Sequence, residues 1–194
     1  AWALMALAQA ELRFWHGKEA NGLPAAEQAL SINPRLPEAL CVKARYLEEE
    51  GRQSEANSVI DTALRLGSDS WEVNREAARM LFRQARIRDA IPYFERAAGL
   101  QNSDFTNPLM LMTCYTAIHE EEGSKRAARM TLERVERALS HDPTIGAAIA
   151  NGACSLAVLG EEERAREWIE RGLLLDPDNQ YMRYNVACVL TAQL

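Results

Sequence analysis

Between Gly146 and Asn179 the apolar residues fall into two runs with helical spacing, parted by Leu159-Gly160-Glu161 and closed by Asp176-Pro177-Asp178-Asn179. Small residues stand at Ala153, Ala165 and Gly172, and large ones at Leu156, Trp168, Ile169 and Leu173. This pattern predicts a helix, a tight turn and an antiparallel helix, with the small residues where the two backbones approach. One such pair cannot bury its own apolar face and needs copies on either side.

The rest of the chain supplies them. A first helix is predicted from about Ala1 to Trp15, with Gly17 ending it in the left-handed conformation. A second runs from Gly22–Pro24 to Ile32, and Asn33-Pro34 turns out of it. Gly17, Gly51 and Ala85 are evenly spaced along the chain and set its period. Five positions beyond these come Gly22, Ala56 and Ala90, and seven further on Ala29, Ala63 and Ala97. Ala44, Ala78 and Ala153 share one column of the earlier helices, and Leu47, Leu81 and Leu156 another. The loop column reads Pro34, Ser68, Asn102, Pro143 and Pro177. Residues 1–194 therefore form one array, with repeats at approximately 1–36, 37–70, 71–104, 105–145 and 146–179 and a terminal helix at 180–194.

The interval from Asn102 to Pro143 is longer than the others by seven positions, so the fourth repeat carries an insertion. Ala128, Leu132, Val135 and Leu139 keep an unbroken apolar stripe, which an insertion of two whole turns preserves. The extra residues are expected in the second helix of that repeat, protruding beyond its neighbours; the alternative is a longer turn at His119–Gly123. Ser103-Asp104 should cap the next helix, with Pro108 in its first turn. Pro92 falls further inside its helix, where it removes a hydrogen bond. The last helix has no following partner, and its uncovered face is a candidate homodimer contact.

Composition agrees with this picture. Of the 194 residues 47% are hydrophobic and 26% charged, and only ten are glycine, which fits an all-α globular chain. The net charge of −6 argues against a nucleic-acid or anionic-membrane binder. Arg75, Arg79, Arg83, Arg86 and Arg88 form a basic run interleaved with acids, the pattern of a solvated helix face. The cysteines at 41, 114, 154 and 188 are widely spaced among apolar neighbours and read as reduced, partly buried thiols of a cytoplasmic protein. No apolar run is long enough to span a bilayer.

Signatures of chemistry are missing: no Gly-rich phosphate loop, nucleophile elbow, HExxH or calcium loop occurs. His16, His119 and His141 fall in or beside turns and read as helix caps. Glu120-Glu121-Glu122 and Glu161-Glu162-Glu163 precede basic helices, where first-turn acids offset the helix dipole. The four tryptophans, at 2, 15, 71 and 168, read as packing. The expectation is a non-enzyme with no catalytic residues, metal or cofactor.

A unit of about 34 residues with small residues at its helix contacts and a closing proline resembles the tetratricopeptide repeat (TPR). The best copies are 37–70, 71–104 and 146–179; the first has Arg13 where others have Leu. The resemblance covers essentially the whole chain. It implies a right-handed α-solenoid of about five antiparallel helix pairs plus the final single helix, whose earlier helices line a concave groove for a peptide or partner protein. On that pattern the groove is lined in the middle by Glu72, Arg75, Glu76, Arg79 and Arg83. Towards the end it is lined by Leu109, Met110, Thr113, Ala147, Ala150, Asn151 and Cys154, then by Tyr181, Tyr184, Asn185 and Cys188. Chaperone-binding members often place a peptide-contacting Asn in the column of Asn151 and Asn185, but Cys41 and Arg45 stand where their basic clamp has Lys and Asn. Residues 112–139, followed by 182–190, also resemble repeat regions behind catalytic domains in multidomain bacterial proteins, such as class III nucleotidyl cyclases and sulfotransferases. The chain would then be the regulatory or oligomerisation module of a larger enzyme.

Overall fold

The computed structural model describes residues 1–175, 177, 183–185 and 187, leaving aside the side chains of Trp15 and His16. The roles read for those two, for Tyr181 and Cys188, and for the terminal helix as a whole lie outside the described residues. Ten helices and no strand occur among the described residues: α1 (Trp2–His16), α2 (Leu23–Ile32), α3 (Pro37–Glu49), α4 (Gln53–Leu66), α5 (Trp71–Arg83), α6 (Ile87–Leu100), α7 (Thr106–Ala117), α8 (Glu121–His141), α9 (Gly146–Val158) and α10 (Glu162–Leu175). They gather into two compact units, unit 1 of Ala1–Leu100 and unit 2 of Gln101–Leu194. Each unit is a stack of helix pairs, α1–α2, α3–α4 and α5–α6 in the first and α7–α8 and α9–α10 in the second.

The repeat is written most clearly in the turns. Gly17, Gly51, Ala85, His119 and Gly160 all have positive φ, 60°, 76°, 58°, 60° and 79°. One left-handed residue thus ends the first helix of every pair and reverses the chain. Glycine adopts this conformation without strain, whereas Ala85 and His119 hold it against their Cβ.

Where helices meet, the small-residue columns are closed. Ala56, Ala63, Ala90, Ala97 and Ala165 are all 0% exposed. At Gly22 a Cβ would collide with the carbonyl of Ala6 in the partner helix. Larger side chains fill the space between successive pairs: Ile60 of α4 joins Val73, Ala77 and Met80 of α5 in one cluster. Val135 and Leu139 of α8 join Ala148 and Ile149 of α9 in another. Phe94 is fully buried, a burial worth roughly 2–3 kcal/mol. The fourth repeat departs from the small-residue columns, with Ser124 and Thr131 in the places of alanine. Both are buried and satisfied: the Ser124 and Thr116 hydroxyls lie 2.8 Å apart, and Thr131 Oγ1 donates to the Ala127 carbonyl at 2.9 Å.

Loops are tied by side chains. Asn74 Nδ2 donates to the carbonyls of Ser68 and Ser70, both at 2.8 Å, pinning the turn into α5. The Asp104 carboxylate accepts the amides of Thr106 and Asn107 at 3.2 and 2.8 Å, the cap expected there. Helix α6 runs through Pro92, which is exposed and has no N–H to offer the Arg88 carbonyl. Arg13, the misfit of the first repeat, is partly exposed and pairs with Glu49 at 3.0 Å.

The long repeat resolves in favour of the helix. Helix α8 has 21 residues, against 14 in α4, α6 and α10. Ala128, Leu132, Val135 and Leu139 are all buried. The surplus sets a step within unit 2. Leu132 packs with Leu156 and Ala165, and Arg164 reaches Glu136 at 3.0 Å. The α9–α10 pair therefore lies against the later part of α8 and leaves its first two turns standing clear by roughly 10 Å. Accordingly α7 and α9 barely touch, whereas α3 lies alongside both α1 and α5.

Candidate functional site

In unit 1 the inner face is formed by α1, α3 and α5. Spacing of four positions puts Arg75, Arg79 and Arg83 on one side of α5. Arg79 Nη1 lies 3.1 Å from Glu76 Oε1 and 3.5 Å from Glu11 Oε2, and Arg75 approaches the same two carboxylates at 3.2 and 3.4 Å. Glu48 Oε2 accepts from Arg83 at 2.6 Å and from Arg45 at 3.0 Å. Aromatic rings complete the cover, with the Arg45 guanidinium 4.0 Å from the Phe14 centroid and that of Arg75 4.4 Å from Trp71. The Arg79 side chain is 4% exposed and that of Arg75 13%. The expectation of a solvated basic face thus holds for Arg86 and Arg88, which are exposed, and fails for Arg75 and Arg79. These two meet Glu76 on their own helix and the carboxylate of Glu11, which reaches α5 from a helix two repeats away.

Burial would push the Glu76 carboxyl up, but Arg79, Arg75 and Arg83 outweigh it and hold Glu76 below its ordinary value of 4.5. Beside this network, among Leu7, Phe14, Cys41 and Val42, remains a space of about 10 Å³, room for about one water. Arg75 and Arg79 are therefore committed inside the unit, while Arg83 is 29% exposed at its edge.

Unit 2 presents different chemistry. On α7, Thr113 is exposed and Met110 half-buried; on α9, Ala147 is exposed. Ala150 and Asn151 are each 1% exposed and Cys154 is 8% exposed. These three lie in the interior: Ala150 belongs to the cluster with Val135 and Leu139 of α8, and the Cys154 thiol lies 3.3 Å from Asn185 Oδ1. Asn185 is itself buried, and Tyr184 beside it is exposed. The structure thus brings Cys154 and Asn185 together and leaves Tyr184 on the surface.

Several other titratable groups have structural roles. Cys41, Cys114 and Cys154 are buried thiols outside any disulfide. Burial raises the Cys41 thiol and pushes Cys114 up to about 12, which makes both poor nucleophiles. His119 holds a left-handed turn position. In the last turn of α8, His141 Nδ1 lies 2.8 Å from the Arg137 carbonyl. Glu121 pairs with Lys125, and Glu161 and Glu162 with Arg164 and Arg166, as first-turn acids should. Among the described residues no trio of His, Cys, Asp or Glu is arranged to hold a metal. None of their helices is long and apolar enough to cross a membrane. Two residues of this face escape a reading of the sequence: Glu11, whose partners stand on α5, two repeats further along, and Asn74, whose amide serves a loop.

No family model and no curated protein matches the chain. Solved structures do. YrrB, described as a TPR protein with an unusual peptide-binding site, superposes with a TM-score of 0.56 at 17% identity, over 94% of this chain and 89% of that one. MamA gives a TM-score of 0.54 at 16% identity, over 91% and 92%. The human IFIT1 dimer with PPP-AAAA gives 0.65 at 22% identity, over 89% of this chain but 40% of the IFIT1 chain. The fold is TPR-like.

Proposed function

We propose that the chain is a non-catalytic protein-interaction scaffold, and that it binds an extended peptide or partner segment along the inner face of unit 2. The observation that carries this reading is the contrast between the two inner faces. In unit 1 the buried guanidiniums are engaged by carboxylates of the same unit, which leaves little to offer a ligand. In unit 2 Thr113 and Ala147 are exposed, Met110 is half-buried and none is charged. Such a strip suits a peptide backbone with small or apolar side chains. The likeness to YrrB, a protein with a peptide-binding site, supports a peptide as the ligand class. The net charge of −6 disfavours nucleic acid. Ala150, Asn151 and Cys154 are interior and are not offered to the ligand, whereas Tyr184 is exposed beside the buried Asn185.

Panning a displayed random-peptide library against the immobilised chain would yield ligands whose affinity can be measured by calorimetry. Thr113→Arg and Ala147→Arg should each weaken them at least tenfold, whereas Arg83→Gln, at the edge of unit 1, should not. Undiminished binding in both unit 2 variants would sink the assignment.

A further inference from the structure

Two Asn-Gly pairs occur in the sequence, Asn21-Gly22 and Asn151-Gly152. An asparagine before glycine is open to attack on its own side-chain amide, because no Cβ on the next residue shields the backbone nitrogen. The two pairs sit in opposite surroundings. Asn151 is 1% exposed within α9, where the helical ladder holds the backbone amides in place. Asn21 is exposed in the loop before α2, and Gly22 is the N-cap of that helix. The Leu23 amide donates to Asn21 Oδ1 at 3.1 Å, which polarises the side-chain carbonyl and would steady an oxyanion formed on it. The Gly22 nitrogen, the nucleophile, is engaged elsewhere: it donates to the Tyr46 hydroxyl at 2.7 Å. Tyr46 is itself buried in the cluster shared by α1, α2 and α3, with its ring centroid 5.2 Å from that of Phe14.

The geometry points to Asn21 as a site of spontaneous deamidation, primed at its side chain and latched by Tyr46 at the attacking nitrogen. While the latch is shut, the buried hydrogen bond to Tyr46 holds the Gly22 N–H away from base and from the Asn21 side chain. Local opening of α3 from the first pair releases it. Base then removes the Gly22 amide proton, and the nitrogen bonds to Asn21 Cγ. The Cγ–Nδ2 bond breaks and that nitrogen leaves as ammonia, protonated by water, which closes a cyclic imide. Water reopens the ring at Cγ to give aspartate, or at the main-chain carbonyl to give isoaspartate. The sum is one amide and one water converted to one acid and one ammonia. Aspartate at residue 21 keeps an acceptor for the Leu23 amide and suits a helix N-terminus. Isoaspartate adds a methylene to the main chain just before Gly22, a position so close to the Ala6 carbonyl that it lacks room for a Cβ. That product would loosen the contact of α1 with α2.

The test is incubation of the full chain in mildly alkaline buffer, followed by mass spectrometry of the tryptic peptide 19–35 with isoaspartate resolved from aspartate. Asn21 in the folded parent should convert at least tenfold more slowly than in the chain unfolded by urea, and Asn151 should stay intact until the chain unfolds. Tyr46→Phe keeps the ring and removes the hydroxyl, and should accelerate conversion of Asn21 at least fivefold while Asn151 remains intact. Val42→Ala weakens the same cluster with the hydroxyl in place. Compared at urea concentrations that give the two variants equal stability, it should accelerate Asn21 less than Tyr46→Phe does. The inference is overturned if the folded parent reacts as fast as the unfolded chain, or if Asn151 converts as readily as Asn21 in the folded parent. An unchanged rate in Tyr46→Phe, or equal rates in the two variants at matched stability, would overturn it as well.

Discussion

The indole of Trp168 in α10 occupies the space that a Cβ on Gly152 in α9 would need. The last described pair packs backbone against ring, and a methyl at residue 152 would drive the ring out. Gly152→Ala should therefore destabilise the protein by about 1–3 kcal/mol. Gly99, in α6, has open space around its Cβ direction, so Gly99→Ala should stabilise by about 0.5–1 kcal/mol. Urea unfolding of the two variants checks the sign of each change; shifts in the same direction would refute the contact.

The turn column offers a reciprocal pair. Ala85 holds a φ of 58° in the place where Gly51 has 76°. Ala85→Gly should gain about 0.5–1 kcal/mol by relieving strain, and Gly51→Ala should lose about 1 kcal/mol. Midpoints of urea unfolding at unchanged slope would register both.

Ala90 is fully buried at the contact of α5 with α6, while Arg86, one turn earlier, is exposed and paired with Asp89 at 2.8 Å. Ala90→Leu should overpack the contact and cost about 1–3 kcal/mol, and Arg86→Leu should change stability by less than about 0.5 kcal/mol. Equal melting temperatures would show that the column is misaligned.

Glu76 gives unit 1 a pH dependence of definite sign. Its carboxyl is held below 4.5 in the folded state by Arg79, Arg75 and Arg83 against the opposing effect of burial. A carboxyl with a depressed folded value contributes stability that is complete above about pH 4.5 and disappears as pH falls through the folded value. Glu76→Gln should lose about 1–3 kcal/mol at neutral pH, because it leaves Arg75 and Arg79 with the more distant carboxylate of Glu11 but without the nearer one. The gap to the parent should shrink below pH 4. Denaturant titrations at pH 7 and pH 3.5 would measure it; a constant gap would contradict the pairing.

Much of the fold was legible because it depends on local spacing. Gly17, Gly51 and Ala85 mark a period that needs no knowledge of three dimensions, and the stripe Ala128–Leu132–Val135–Leu139 reveals a helix lengthened by whole turns. His119 is harder to read: glycine is the usual occupant of a left-handed turn, so a histidine there disguises its place in the same column. The surfaces were less legible for a physical reason. Whether Arg79 faces water depends on Glu11, at the far end of unit 1 in sequence, and no periodicity announces that approach. Their column assigns Asn151 and Cys154 to a groove, yet both are interior, and Asn185 meets the Cys154 thiol. A column says which way a side chain points, and only the neighbouring repeats say what it meets.

The reach of Glu11 to Arg75 and Arg79 also bears on how unit 1 unfolds. Arrays of this kind are commonly treated as chains of modules in which each repeat senses only its immediate neighbours, so that ends fray one module at a time. A carboxylate from α1 inserted between guanidiniums of α5 adds a coupling that skips the middle repeat. Detaching α1 strips a counter-charge from the third repeat as well as a wall from the second. The three pairs of unit 1 should consequently exchange their deep amide protons through one shared opening event rather than in a gradient from the end.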